Sequence, residues 1–267
     1  MYFSKEDANY WYEIHGEGIP VVLLHGFTGS TSTWKRFIEF APSSLQLITI
    51  DLPGHGRTIV NSPRTMESCC KDLQSLFTAL GLEKIHLVGY SMGGRTALSY
   101  AMFDPERITT LTLESASPGL KTEMERKERQ ENDEGLAKKI ELEGLESFVA
   151  YWENIPLFDS QKALPPSMKD AIRKERLGQS TKGLAMSLRY MGTGSQPSWW
   201  EKMKYFSAPV LLITGELDEK YIRINKEMSK HFPNAQFITC KDIGHSIHVE
   251  KPEIFGKLVT EFILSYI

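Results

Sequence analysis

Residues Gly89-Tyr90-Ser91-Met92-Gly93-Gly94 follow the short apolar run Ile85-His86-Leu87-Val88 and open a helical stretch towards Phe103. The stretch fits G-x-S-x-G in a strand-to-helix setting. A serine on so tight a turn must hold strained backbone angles. Glycines two positions either side let neighbouring backbone pass without Cβ clashes. The hydroxyl then projects above the sheet, and the Met92 N–H sits at a helix N-terminus, where it can stabilise an oxyanion. A glycine-rich turn capped by an ordinary serine would give the same letters, so the flanks carry the inference.

Outward from this turn the chain alternates strand and helix. Val21-Val22-Leu23-Leu24 ends at His25-Gly26, and Leu47-Ile48-Thr49-Ile50 ends at Asp51 and the breakers Pro53-Gly54-His55-Gly56. A helix carrying Leu73, Leu76, Phe77 and Leu80 stops at Gly81, and Ile108 to Leu113 is the next strand. Near-continuous apolar strands between amphipathic helices predict an α/β protein with a mostly parallel sheet covered on both faces. From Lys121 to Glu143 the pattern changes to a dense run of both charges, the mark of a solvated helix face. Strand rhythm returns at Pro209-Val210-Leu211-Leu212-Ile213 and Gln236-Phe237-Ile238. A last helix from Pro252 carries Ile254, Phe255, Leu258, Val259 and Phe262 on one face. Residues 1–116 and 201–267 are therefore expected to form the core, and 117–200 a helical cap.

A serine hydroxyl needs a histidine and a carboxylate that holds the ring's tautomer. On this architecture they follow the serine in the order acid, then histidine. Asp218 after Thr214-Gly215-Glu216-Leu217, and His245 in Asp242-Ile243-Gly244-His245, occupy loops after strand ends. Glu216 is the rival acid and His248 the rival base. The loop His25-Gly26-Phe27-Thr28-Gly29 should supply a second oxyanion donor, the Phe27 N–H. His25 and His55 are read as loop-stabilising residues.

The 267 residues carry 34 acidic and 31 basic side chains, a formal charge of −3 that gives no reason to expect nucleic acid or an anionic membrane as partner. No apolar run reaches the roughly 20 residues of a membrane span, and the N-terminus has no basic-then-apolar leader, so a cytoplasmic address is expected. Cys69, Cys70 and Cys240 make no disulfide framework, and no His, Cys, Asp or Glu set has metal-ligand spacing. No metal or cofactor is expected. The expected oligomeric state is a monomer or weak homo-oligomer.

The motifs H-G-F-T-G, D-L-P-G-H-G, G-Y-S-M-G-G, G-E-L-D and G-H, in this order from residue 25 to 245, resemble the α/β-hydrolase superfamily. That fold hosts esterases, C–C hydrolases, lyases and non-catalytic receptors, so the label alone gives no reaction. Arg95 after the double glycine, Trp152-x-x-x-Pro156-Leu157-Phe158, and Gly192-Thr193-Gly194-Ser195-Gln196-Pro197-Ser198-Trp199 are similar to the 2-succinyl-6-hydroxy-2,4-cyclohexadiene-1-carboxylate (SHCHC) synthases, lyases of menaquinone biosynthesis. The resemblance implies a polycarboxylate substrate held by Arg95, Arg129 and Arg176, with Tyr90, Trp152 and Phe27 lining the pocket. Three arginines would neutralise carboxylates that are costly to bury unpaired, although any cap arginine taken alone could be a surface ion pair. A hydrolase of an ester or C–C bond in a carboxylated small molecule uses the same triad and is the alternative. A binding protein without catalysis is the second.

Overall fold

The computed structural model describes all residues, 1–267. Strands β1 (Tyr2–Lys5), β2 (Ala8–His15) and β3 (Ile19–Leu24) precede α1 (Lys35–Phe40) and β4 (Leu45–Ile50). Next come the two-residue β5 (Ile59–Val60), α2 (Met66–Ala79), β6 (Ile85–Tyr90), α3 (Met92–Phe103) and β7 (Ile108–Glu114). Helices α4 (Glu123–Trp152), α5 (Pro166–Leu177) and α6 (Thr181–Met191) follow. Then β8 (Val210–Gly215), α7 (Glu219–His231), β9 (Ala235–Cys240), α8 (Ile247–Glu250) and α9 (Pro252–Leu264) complete the chain.

The sheet order is β1-β2-β4-β3-β6-β7-β8-β9, with β5 against β2. All pairs from β4 to β9 are parallel; β1, β2 and β5 pair antiparallel. Strand alternation divides the core. Val22 and Leu24 point to the face covered by α2 and α3, with Cys69, Leu73, Phe77 and Tyr100. Val21 and Leu23 point to the other, with Trp34, Phe37, Phe255, Val259 and Phe262 of the α1/α9 side. Apolar side chains on both faces of the central strands explain why those strands read as continuous apolar runs.

The N-terminal strands lie outside the predicted set. Their signal is a period of two, Ala8, Tyr10 and Tyr12 buried between half-buried Asn9, Trp11 and Glu13. Ile254, expected on the buried face of the last helix, is 44% exposed; Ile263 is buried there instead. Between β7 and β8 the chain adds no strand. The charged run falls on α4, which breaks at Gly144 (φ 80°). It packs on α6 through Ala137, Ile140, Phe148, Val149, Leu184 and Leu188, with Phe27 of the β3 loop against the same cluster. The three cysteines are free and buried. No helix is long and apolar enough to cross a membrane.

Candidate active site

Ser91 sits between β6 and α3 with φ 49° and ψ −107°, a backbone conformation that glycine tolerates and serine resists. Neighbours hold it there. The Ser91 N–H donates to the Glu114 carbonyl at 2.8 Å, and the Arg95 N–H to the Ser91 carbonyl at 2.9 Å. A Cβ at Gly93 would fall on the carbonyl oxygens of Leu24 and His25, so only glycine lets α3 start this close to β3.

His245 Nε2 lies 3.0 Å from Ser91 Oγ, and its Nδ1 lies 2.6 Å from Asp218 Oδ2. With the carboxylate accepting, the ring proton sits on Nδ1 and the Nε2 lone pair faces the serine hydroxyl. Asp218 also caps α7, accepting the Tyr221 N–H. The loops carrying acid and base are joined: the Leu217 N–H donates to the Ile243 carbonyl at 2.9 Å. The rings of Tyr221, Tyr90 and Phe158 stand 4.7, 5.4 and 6.2 Å from the imidazole. The two rivals are engaged elsewhere. His248 Nδ1 and its backbone N–H both reach the buried Glu114 carboxylate. Glu216 accepts the Asp242 N–H.

The Phe27 N–H has no acceptor within the chain, and the Met92 N–H is an orphan donor of the first turn of α3. His25 braces the loop. Its Nε2 accepts the Leu52 N–H at 2.9 Å and its Nδ1 donates to the Gly26 carbonyl at 2.8 Å. Burial holds its pKa down to about 4 and that of neighbouring His55 to about 3, so both are neutral at pH 7. Asp51 ties the D-L-P-G-H-G turn to the same loop by accepting the Thr31 and Arg57 N–H groups.

Ser91, Met92, Asp218 and Phe27 open on one cavity of about 580 Å³, whose wall also includes Arg95, Arg129 and Trp152. Arg95 is buried and has no carboxylate partner. One of its amino groups donates to the Met191 carbonyl at 2.8 Å and to Gln196 Oε1 at 3.2 Å. Burial, then the nearby Arg129 charge, lowers its pKa to about 10, leaving it charged at neutral pH. A buried cation without a counter-ion is costly until an anion arrives. Arg129 is steered by Asp133, which accepts from Nε at 2.8 Å and leaves the terminal nitrogens free.

Tyr90 and Arg176 are not brought to this cavity. Strand alternation turns Tyr90 away from Ser91. Its ring fills the space a side chain at Gly26 would need, and its hydroxyl pairs with Ser246 Oγ at 2.5 Å. Arg176 lies 4.7 Å over the Phe158 ring, bonds Gln161, and lines two smaller hollows. Tyr221, absent from the expected set, is half-buried on the cavity wall, and desolvation raises its pKa. Its position three residues after Asp218 was the only available signal. No group of His, Cys, Asp and Glu could hold a metal ion.

A strained serine, an Asp-held histidine and two unpaired backbone N–H groups beside them on a mostly parallel sheet define a class, and the comparisons agree with it. The chain belongs to the α/β hydrolase fold family, whose model matches residues 19–252. It is 50% identical over 248 residues, 92% of this chain and 90% of the other, to a Bacillus subtilis protein to which SHCHC synthase activity is ascribed, and so falls in that branch of the family. The structure of MenH from S. aureus superposes with a TM-score of 0.92 at 37% identity, covering 96% of this chain and 98% of that one. A thermophilic esterase from Thermogutta terrifontis, solved with malate bound, follows at a TM-score of 0.86 and 28% identity, covering 97% and 94%.

Proposed function

We propose that the protein is an SHCHC synthase of menaquinone biosynthesis. It would eliminate pyruvate from 2-succinyl-5-enolpyruvyl-6-hydroxy-3-cyclohexene-1-carboxylate (SEPHCHC), with residues 117–200 capping the site. The observation that carries this reading is that Ser91, bonded to His245, shares one cavity with the carboxylate-free Arg95. A neutral ester has no use for a buried cation; a polycarboxylate does.

His245 takes the Ser91 proton as the serine oxygen removes the ring proton α to the succinyl carbonyl. Electron density moves onto that carbonyl oxygen and through the ring. The C–O bond to the enolpyruvyl group then breaks, the departing enolate takes the proton held by the Ser91–His245 pair, which resets the base, and the released enol becomes pyruvate. Asp218 stabilises the His245 imidazolium. The Phe27 and Met92 N–H groups stabilise the developing oxyanion, at about 3 kcal/mol per donor in related chemistry. Arg95 and Arg129 anchor carboxylates and set the angle between the breaking C–H bond and the ring π-system, while Trp152 and Phe27 shape the apolar wall.

Incubation with SEPHCHC is expected to release pyruvate in step with a conjugated diene absorbing in the near ultraviolet; absence of pyruvate rejects the assignment. The malate-bound esterase neighbour supports a second reading, hydrolysis of a carboxylated ester. That reaction would leave an acyl group on Ser91, which intact-protein mass spectrometry detects and the elimination does not produce.

A further inference from the structure

We infer that Lys220 is a third anion contact of the cavity, its ammonium completing a cationic wall with Arg95 and Arg129 around a ligand bearing three carboxylates. The identity of that ligand rests on the lyase reading, since SEPHCHC carries a ring, a succinyl and an enolpyruvyl carboxylate. Lys220, Arg95 and Arg129 line the same space as Ser91. The acids on that wall are Asp218 and Glu219. Asp218 is committed to His245 and to the cap of α7. Glu219 forms no ion pair with the lysine, which has no salt bridge at all and stands 5.6 Å from the Tyr221 ring centroid.

Lys220 is an exposed residue whose ammonium is partly desolvated where it lines the cavity. Partial burial, then the Arg129 charge, lowers its pKa, while Asp218 opposes the shift. The Arg129 and Lys220 charges thus repel across the cavity wall, and an incoming carboxylate relieves that repulsion. Arg176, which the family resemblance offers as the third cation, lies over Phe158 outside this space. Lys220 fills that place for a geometric reason. It is the second residue of α7, so the loop that fixes the triad acid also fixes the ammonium.

The test is calorimetric titration of the full chain with tricarballylate, a three-carboxylate probe, together with steady-state turnover of SEPHCHC. Lys220→Ala should raise the tricarballylate Kd about tenfold and raise KM with little change in kcat. Lys220→Arg should retain most affinity, and Lys257→Ala, which lines no part of the cavity, should match the parent. Because Lys220 is exposed, circular dichroism should show all variants folded; Lys220→Met, which keeps the chain length, should bind as poorly as Lys220→Ala. An unchanged Kd in Lys220→Ala, or no measurable probe binding by the parent, overturns the inference. Lost probe affinity without any pyruvate release would sink the lyase reading and leave the anion contact standing. Normal turnover with unchanged Kd and KM would do the reverse.

Discussion

Arg129 donates its Nε to Asp133 Oδ1 at 2.8 Å, one helical turn along α4, and Asp133 is only 2% exposed. The pair gives α4 a fixed guanidinium whose terminal nitrogens are free for a ligand. Asp133→Ala removes the tether, worth about 1.5–3 kcal/mol for a charged hydrogen bond. KM for SEPHCHC should rise about tenfold with kcat within a factor of about two. An unchanged KM would show that Arg129 needs no such support.

Arg95 offers a second, sharper case. Its guanidinium reaches Met191 and Gln196 while still facing the cavity. A lysine ammonium has no planar fork and cannot keep those bonds while presenting two donors to a carboxylate. Arg95→Lys should raise KM for SEPHCHC about a hundredfold, roughly 2.7 kcal/mol, and leave any activity on a neutral p-nitrophenyl ester within about twofold. Equal losses on both substrates would remove the carboxylate role.

Strain at Ser91 predicts an inverted stability order. Its φ of 49° costs a side-chain residue about 1–3 kcal/mol that glycine avoids. Ser91→Gly should be more stable than Ser91→Ala by about 1 kcal/mol, read as a higher urea midpoint. Both should lose at least about a thousandfold in turnover. If alanine proves the more stable replacement, the turn is not strained.

Acid should unfold the protein through its neutral histidines. Below pH 6.5 an unfolded chain protonates histidines that, when folded, stay neutral: His25 and His86 down to about pH 4 and His55 to about pH 3. The unfolded state then binds more protons, so stability falls as pH drops from 6.5 towards 4. Each group contributes up to about 1.4 kcal/mol per pH unit. Urea midpoints at pH 7.5, 6.5 and 5.5 should show that slope, and His55→Gln should flatten it; an identical slope in the variant would exclude His55 as a source.

Much of the fold is written in local sequence. Central strands buried on both faces must be apolar throughout, so Val21–Leu24 and Ile85–Val88 announced themselves, as did the helix stopped at Gly81 (φ 68°). The elbow glycines are demanded by backbone contacts, and sequence carries that demand directly. The edge hairpin was quieter, because one face of β2 is only half buried and its residues mix polar with apolar.

The sequence by itself determined the α/β order, the serine turn, and the loops bearing Asp218 and His245, because each is written in local periodicity or in glycine placement. The sequence put His245 ahead of His248, and tertiary structure added what periodicity does not carry, Glu114 of β7 claiming the His248 ring. Tertiary structure alone decided which cations share the cavity. Whether Arg176 or Lys220 meets Arg95 depends on how the Phe158 ring packs and where α7 starts, and side-chain direction at long sequence separation leaves no periodic trace.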